Sequence, residues 1–104
     1  MNKWNYDLGT VGKNLREAIH TEIESIASCA WTLENLLKCL DYIREICPVA
    51  INDIFETRRE GIQESFEEMS ALDEEEYPYA EDVVNEWLDT FYDLCDFYRI
   101  WIGV

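Results

Sequence analysis

The stretch from Glu60 to Tyr98 carries 14 acidic residues and no lysine or arginine. Unpaired carboxylates are costly to bury, so any fold must leave nearly all of this set in water. The same stretch holds regularly spaced apolar residues, which have to be buried instead. An element with one acidic face and one apolar face satisfies both demands, and the spacing of the apolar residues decides which element it is.

Apolar residues recur every three or four positions along the chain, a period typical of amphipathic α-helices. Only four glycines and two prolines interrupt it. The pattern predicts an all-α fold in which residues 1–104 form a single small bundle-like domain of about four helices with an acidic face. The apolar positions place the first helix at Val11 to Ala27 and the second at Leu33 to Ile46, with Thr32 as its N-cap. The third helix is predicted from Pro48, in its first turn, to Met69. A loop from Ser70 to Pro78 follows, and the fourth helix is predicted from about Tyr79 and Ala80 to Trp101.

The net charge narrows the classes of partner. Eight lysines and arginines stand against 23 acidic residues, so the formal net charge is -15 at pH 7. Direct binding to nucleic acid or to anionic lipid requires clustered basic side chains, and neither is expected here. Aromatic residues make up 13% of the chain, which distinguishes it from an acidic disordered tail. We therefore expect a folded acidic domain that binds neither nucleic acid nor membrane directly.

The sequence predicts a protein of the cytoplasm of a bacterial host cell. No run approaches the roughly 18 consecutive apolar residues of a transmembrane helix. The first residues lack the apolar segment of a signal peptide. No Cys-x-x-Cys pair occurs, and we predict reduced, partly buried thiols at Cys29, Cys39, Cys47 and Cys95.

The acidic residues of the second half recur at helical spacing. Steps of three and four residues put them on one face of each predicted helix. Five such residues span roughly 21 Å at a rise of about 1.5 Å per residue. The row on the third helix consists of Asp53, Glu56, Glu60, Glu64 and Glu67, the row on the fourth of Asp82, Glu86, Asp89, Asp93 and Asp96, and the loop between them holds Asp73, Glu74, Glu75 and Glu76. Together they predict a polyanionic surface that binds a partner.

A solvated helix face is the simpler interpretation of such rows. Solvated faces normally mix lysine with glutamate, however. Opposite charges four residues apart stabilise a helix by a few tenths of a kcal/mol, and like charges cost about as much. Regularly spaced carboxylates on a rigid helix resemble instead the phosphates of duplex DNA, which carries one negative charge per about 1.7 Å of axis. Such a surface could enter the basic groove of a DNA-binding protein and exclude DNA from it.

The sequence gives little support for an enzymatic function. The single histidine, His20, forms one Glu-x-x-His motif with Glu17, whereas a di-iron bundle needs two such motifs and further glutamates. The sequence contains no glycine-rich phosphate loop, nucleophile elbow or zinc-ligand set. We expect no catalytic residues, no metal and no cofactor.

The fourth helix carries more aromatic side chains than one face can hold. Four of them share a face and are expected in the core: Trp87, Phe91, Tyr98 and Trp101. A domain of this size does not bury every further apolar side chain, and those off the face are candidates for a homodimer contact or for an apolar contact with a partner. These candidates are Tyr92, Phe97 and Ile100.

Several segments resemble the Ocr-like antirestriction proteins of T7-like phages, which are small, acidic, all-helical DNA mimics. The resemblance extends over roughly residues 33–95 and is carried by the helix before Pro48 and by Asp53-Ile54-Phe55, Glu60-Gly61-Ile62 and Ala80-Glu81-Asp82-Val83-Val84. It implies a phage-encoded dimer that occupies the DNA groove of type I restriction–modification enzymes. The acidic positions that match are Asp53, Glu60, Glu81 and Asp82. This chain departs from the family in its nearly charge-balanced first half and in its last residues, which are not strongly acidic.

The leading hypothesis is a DNA-mimic inhibitor, from a phage or mobile element, that occupies the basic groove of a host defence enzyme. The enzyme would be a restriction–modification enzyme or a CRISPR effector. An alternative is an immunity protein or antitoxin that covers the basic active site of one cognate nuclease. A third is an adaptor subunit that docks through the aromatic residues of the last helix. Duplex DNA separates the first two, since it displaces a mimic from its partner.

Overall fold

The computed structural model describes residues 4–20, 25–73 and 75–102. Within this part of the chain four α-helices contain most of the residues, which confirms the predicted all-α class. A 3₁₀ turn, Pro48–Ala50, separates the second helix from the third, and two short strands flank the helical region. In chain order the elements are β1 (Tyr6–Asp7), α1 (Gly9–His20), α2 (Ile26–Ile46), α3 (Asp53–Ala71), α4 (Ala80–Tyr98) and β2 (Ile100–Trp101).

Helix α2 is the central element, and each of the other three helices packs against it. Its apolar residues face the core on more than one side, and Leu33, Leu36 and Ile43 are completely buried. Because α1, α3 and α4 all use α2 as their common support, the outer sides of α3 and α4 remain open to solvent. No helix in the described part of the chain has the length and apolar character needed to cross a membrane.

The boundary between the first two helices differs from the prediction. Helix α1 ends at His20, and α2 already begins at Ile26, with the Ser25 hydroxyl accepting the N–H of Ser28 at 3.2 Å. Predicted positions 21–24 lie outside the described residues. Thr32 is therefore not the N-cap of a helix. It lies inside α2, where its hydroxyl donates to the Ser28 carbonyl at 3.1 Å.

The third helix begins later than predicted. Pro48 opens the 3₁₀ turn rather than α3. The cap of α3 is Asn52, whose side chain accepts the N–H of Phe55 at 3.0 Å. Val49 and Ile51 therefore precede the helix and are exposed, instead of belonging to its apolar face. At the other end α3 continues to Ala71, into the segment predicted as a loop.

The last helix ends before Trp101, which was expected on its core face. Arg99 adopts a left-handed conformation, with φ of 56°, and this stops α4. The chain then forms β2, which pairs in parallel with β1 so that Ile100 lies opposite Tyr6. Trp101 is 37% exposed as a result. The strand pair was not predicted, because two residues are too few to establish an alternating pattern.

The four cysteines pack in the core and form no disulfide. They are more deeply buried than the sequence predicted. The Cys39 thiol donates to the Val11 carbonyl at 3.3 Å and so joins α2 to α1. Burial raises the pKa of Cys39 to about 12 and also raises that of Cys95. Thiols held in this protonated form act as small apolar side chains.

Candidate partner-binding surface

The acidic row of α4 lies on the side of the helix opposite its buried residues. At 3.6 residues per turn, the middle of the row is about 160° around the helix axis from the middle of the buried set. The buried set consists of Ala80, Val84, Leu88, Phe91 and Cys95. Every member of the row is exposed: Asp82, Glu86, Asp89, Asp93 and Asp96. The row is therefore a continuous strip of carboxylates facing water.

The acidic row of α3 is also turned away from the core, with one exception. Phe55, Ile62 and Met69 form the buried side of this helix. Four residues of the row are exposed: Asp53, Glu60, Glu64 and Glu67. Glu56 is half-buried instead, because it forms an ion pair with Arg44 of α2. Glu56 thus belongs to the contact between α2 and α3 and is less accessible to a partner than the rest of the row.

The loop between the two rows adds further exposed carboxylates. Asp73 accepts the backbone N–H of Glu76 at 2.9 Å, which holds the turn in shape. Glu75 and Glu76 are exposed, and the predicted site residue Glu74 lies outside the described residues. Glu81 and Asp82 follow in the first turn of α4, where the partial positive charge of the helix N-terminus favours carboxylates.

Several basic side chains form ion pairs with carboxylates of α2 or α3. Arg59 binds Asp41 at 2.9 Å, and Lys38 binds Glu34 at 3.4 Å. Together with Arg44 and Glu56, these ion pairs involve α2 or its contact with α3. Of the predicted site residues only Glu56 takes part in them. The other described members of the two rows lie outside these ion pairs, whereas Arg58 of α3 lines a groove together with Asp93 of α4.

The two helices that carry the rows, α3 and α4, also contact each other directly. The two helices run antiparallel, with the Asn52 amide 3.4 Å from the Tyr98 hydroxyl at one end. Further along, the indole N–H of Trp87 donates to the Ser65 hydroxyl at 3.1 Å. The ring lies directly over Gly61, where a Cβ would come within 2.6 Å of it. Gly61 lies inside α3 without interrupting it, and the absence of its side chain makes room for the indole.

The three apolar candidates of the last helix have three different environments. Phe97 is 78% exposed and can contact a partner. Tyr92 is half-buried, and burial raises its pKa. Ile100 is completely buried, because it pairs with Tyr6 in the strand pair and packs into the core. The assignment of Ile100 as a contact residue is therefore wrong.

Sequence reasoning missed two exposed apolar side chains at and before the start of α3, of which Ile54 lines a groove together with Phe97. Ile54 was assigned to the core face of the third helix, yet it is 63% exposed, and Val49 is 70% exposed. The cause is the position of the helix start. The Asn52-Asp53 pair is a typical N-cap signal. A third helix predicted to start at this pair would not have included Val49 in its apolar face.

The Glu-x-x-His motif lies at the end of α1. His20 is exposed in the last turn of α1. In residues 4–20, 25–73 and 75–102, no group of three or more His, Cys, Asp or Glu side chains is positioned to hold a metal ion. The carboxylates of the two rows stand out by their number and by their alignment along α3 and α4.

Comparisons with known proteins give no match. No family model matches the chain. The searches of curated proteins and of solved structures likewise found no match. The resemblance to Ocr-like proteins therefore stays a prediction made from short segments of the sequence.

Proposed function

We propose that this chain is a DNA mimic of phage or mobile-element origin, which inhibits a host defence enzyme by occupying its basic nucleic-acid-binding groove. One observation carries the proposal: each acidic row lies opposite the buried side of its helix, and no lysine or arginine occurs between Glu60 and Tyr98. Restriction–modification enzymes and CRISPR effectors are the expected targets, since both hold nucleic acid against basic side chains.

The density of charge supports phosphate mimicry. Each row spans roughly 21 Å, and nine of the ten carboxylates in the two rows are exposed, since Glu56 pairs with Arg44. Duplex DNA carries one negative charge per about 1.7 Å of axis, or about 12 over the same distance. A groove that binds a duplex would therefore meet a similar number of charges on this surface. Contacts to phosphates position a ligand without reading bases, so carboxylates can replace them.

The energetic cost of the rows supports a role in binding. Like charges three or four residues apart destabilise a helix by a few tenths of a kcal/mol per pair. Replacing alternate carboxylates by lysine would remove this cost and leave the apolar side of each helix unchanged. When a basic partner binds, its cations attract the same carboxylates that repel one another in the isolated chain. The attraction also speeds association through electrostatic steering.

The resemblance to the Ocr-like proteins adds a second line of support. Its four matching acidic positions, Asp53, Glu60, Glu81 and Asp82, are all exposed. They occur on both helices that carry rows. If the resemblance extends to the target, a type I restriction–modification enzyme is the first one to test.

Elution by DNA tests the proposal. The tagged chain is immobilised, incubated with bacterial lysate and washed, and short duplex DNA is then added. We expect mass spectrometry to identify a nucleic-acid-binding defence enzyme in the eluate. The purified enzyme should also lose DNA binding when the chain is added in equal amount. The proposal fails if DNA releases nothing. Retention of one nuclease that DNA does not release would favour the immunity-protein alternative.

A further inference from the structure

An apolar groove lies at one end of the acidic surface, between the start of α3 and the end of α4. It has a volume of about 330 Å³. Most of its lining is apolar, and Asp93 of the α4 row forms part of the wall. The apolar side chains include Ile54 and Phe55 from α3 and Leu94, Phe97 and Tyr98 from α4.

Two of the apolar side chains that line this groove are largely exposed to solvent. Phe97 and Ile54 are 78% and 63% exposed, although each would be more stable out of water. The Phe97 ring meets the Tyr98 ring edge to face, with centroids 4.9 Å apart. The Tyr98 hydroxyl in turn lies 3.4 Å from the amide of Asn52, the cap of α3. The groove is thus built on the same contacts that join the two helices.

Charge decides which occupant fits the groove. Asp93 lines it together with Arg58 of α3, and Asp53 lies beside Ile54 in an adjoining depression that Arg58 also lines. The groove therefore holds one cation and is flanked by carboxylates of both acidic rows, beside a chain whose net charge is strongly negative. A second copy of this chain would bring these carboxylates against one another, with a net charge of -15 on each chain. A basic protein that binds both rows would instead bring cations to them and would cover the groove at the same time.

We propose that this groove anchors the basic partner: an aliphatic or aromatic side chain, projecting between lysines or arginines of that partner, inserts beside Ile54 and Phe97. The inference rests on the proposed function, because it takes the protein bound by the acidic rows as the occupant. The rows steer and align the partner, and the groove adds an apolar contribution that DNA cannot provide. Apolar anchors of this kind dominate the affinity of many interfaces.

An apolar anchor changes how binding responds to salt. DNA binding weakens steeply with salt, because it depends on the release of counterions. Apolar burial is not screened by ions. The partner should therefore remain bound to this chain at salt concentrations that already release DNA, which gives the mimic an advantage over its competitor.

Phe97→Ser tests the anchor, since the side chain is exposed and its loss should leave the helical circular dichroism unchanged. Immobilised poly-L-lysine serves as a purely cationic probe and should bind the variant and the wild type equally. The host protein that duplex DNA displaces should elute from the variant at lower NaCl, with roughly ten- to hundredfold weaker binding. Trp31→Ser on α2, also an exposed aromatic position, is the matched control and should not change elution.

Photo-crosslinking identifies the occupant. p-Benzoyl-L-phenylalanine replaces Phe97 in one variant and Trp31 in the control. We expect the first to form an adduct with the DNA-displaceable protein and to lose it when duplex DNA is added. An adduct of twice the mass of this chain would identify a second copy as the occupant and overturn the proposal. Unchanged salt elution of the Phe97→Ser variant would overturn it as well.

The two proposals fail in different ways. If the wild type retains a DNA-displaceable protein and Phe97→Ser has no effect, the anchor is wrong and the proposed function stands. If the wild type retains no such protein, both are wrong, because the anchor requires a basic partner.

Discussion

The indole of Trp87 lies so close to Gly61 that a Cβ at position 61 would come within 2.6 Å of the ring. Helices α3 and α4 touch at few places, whereas both pack extensively on α2. This contact is one of the few that join the two helices that carry the acidic rows. Glycine inside a helix costs about 1 kcal/mol relative to alanine. The overlap with the indole is the physical reason why the larger residue does not fit here.

The contact can be tested by a double-mutant cycle. We expect Gly61→Ala to lower the free energy of unfolding by about 1–2 kcal/mol, because overpacking against the indole outweighs the gain in helix propensity. In a Trp87→Leu background the ring is gone, and the same substitution should raise the free energy of unfolding by up to about 1 kcal/mol. Urea denaturation measures both effects. Equal values in the two backgrounds would contradict the contact.

Charge reversal on α4 should remove partner binding. Replacing Glu86 and Asp89 by lysine places two cations in the middle of the row, and we expect more than tenfold weaker association with the DNA-displaceable enzyme. The control replaces Glu34 and Glu45 of α2 by lysine, which changes the net charge equally but away from the rows. Inhibition of DNA binding by the enzyme is the readout. Equal loss in both variants would mean that net charge, rather than its placement, determines binding.

The rows should also destabilise the isolated chain. Replacing Glu86 by Gln and Asp89 by Asn removes repulsion and should raise the free energy of unfolding by about 0.5 kcal/mol at low salt. Glu56→Gln should lower it by a similar amount, because it breaks the partly exposed ion pair with Arg44. Thermal denaturation in low and high NaCl checks both, since added salt should reduce the two effects. The same sign for both substitutions would refute this account.

Alkaline pH should destabilise the fold through its buried thiols. Burial raises the pKa of Cys39 from 9.0 to about 12, so the folded chain holds a proton that the unfolded chain releases above about pH 9. The stabilising contribution is therefore complete below pH 9 and declines as the pH rises toward 12. Urea denaturation at a series of pH values from about pH 8 to about pH 11 should give a midpoint urea concentration that falls as the pH rises.

A Cys39→Ala variant provides the control for this pH dependence. It should be less stable at neutral pH, because it leaves a small cavity. Its stability should decline less between about pH 9 and pH 11 than that of the wild type. An identical decline in the two proteins would show that other groups are responsible.

Much of the helical framework could be predicted, and the reason is visible in α4. Its buried and acidic residues alternate at steps of three and four, which is a local property of the chain and independent of what the helix packs against. The helix begins at Ala80, as predicted. The exposure of Asp82, Glu86 and Asp89 follows from the same spacing.

Errors occurred where a side chain had competing roles. Thr32 can cap a helix, but Ser25 caps α2 earlier. Pro48 can begin an α-helix, but here it begins a 3₁₀ turn, and Asn52 caps α3. In each case a nearby residue satisfies the free backbone N–H groups of the first turn, and apolar spacing carries no information about that choice.

By itself, the sequence determined the helical class, the two rows of carboxylates and the side of each helix that faces water, because these depend on residues three and four positions apart. Only the tertiary structure decided which apolar side chains remain exposed to solvent. Ile100 is buried because β2 pairs with a strand from the other end of the chain, whereas Phe97 and Ile54 meet at the surface because α3 and α4 run antiparallel on α2. Such contacts join distant parts of the chain, and no local pattern of residues encodes them.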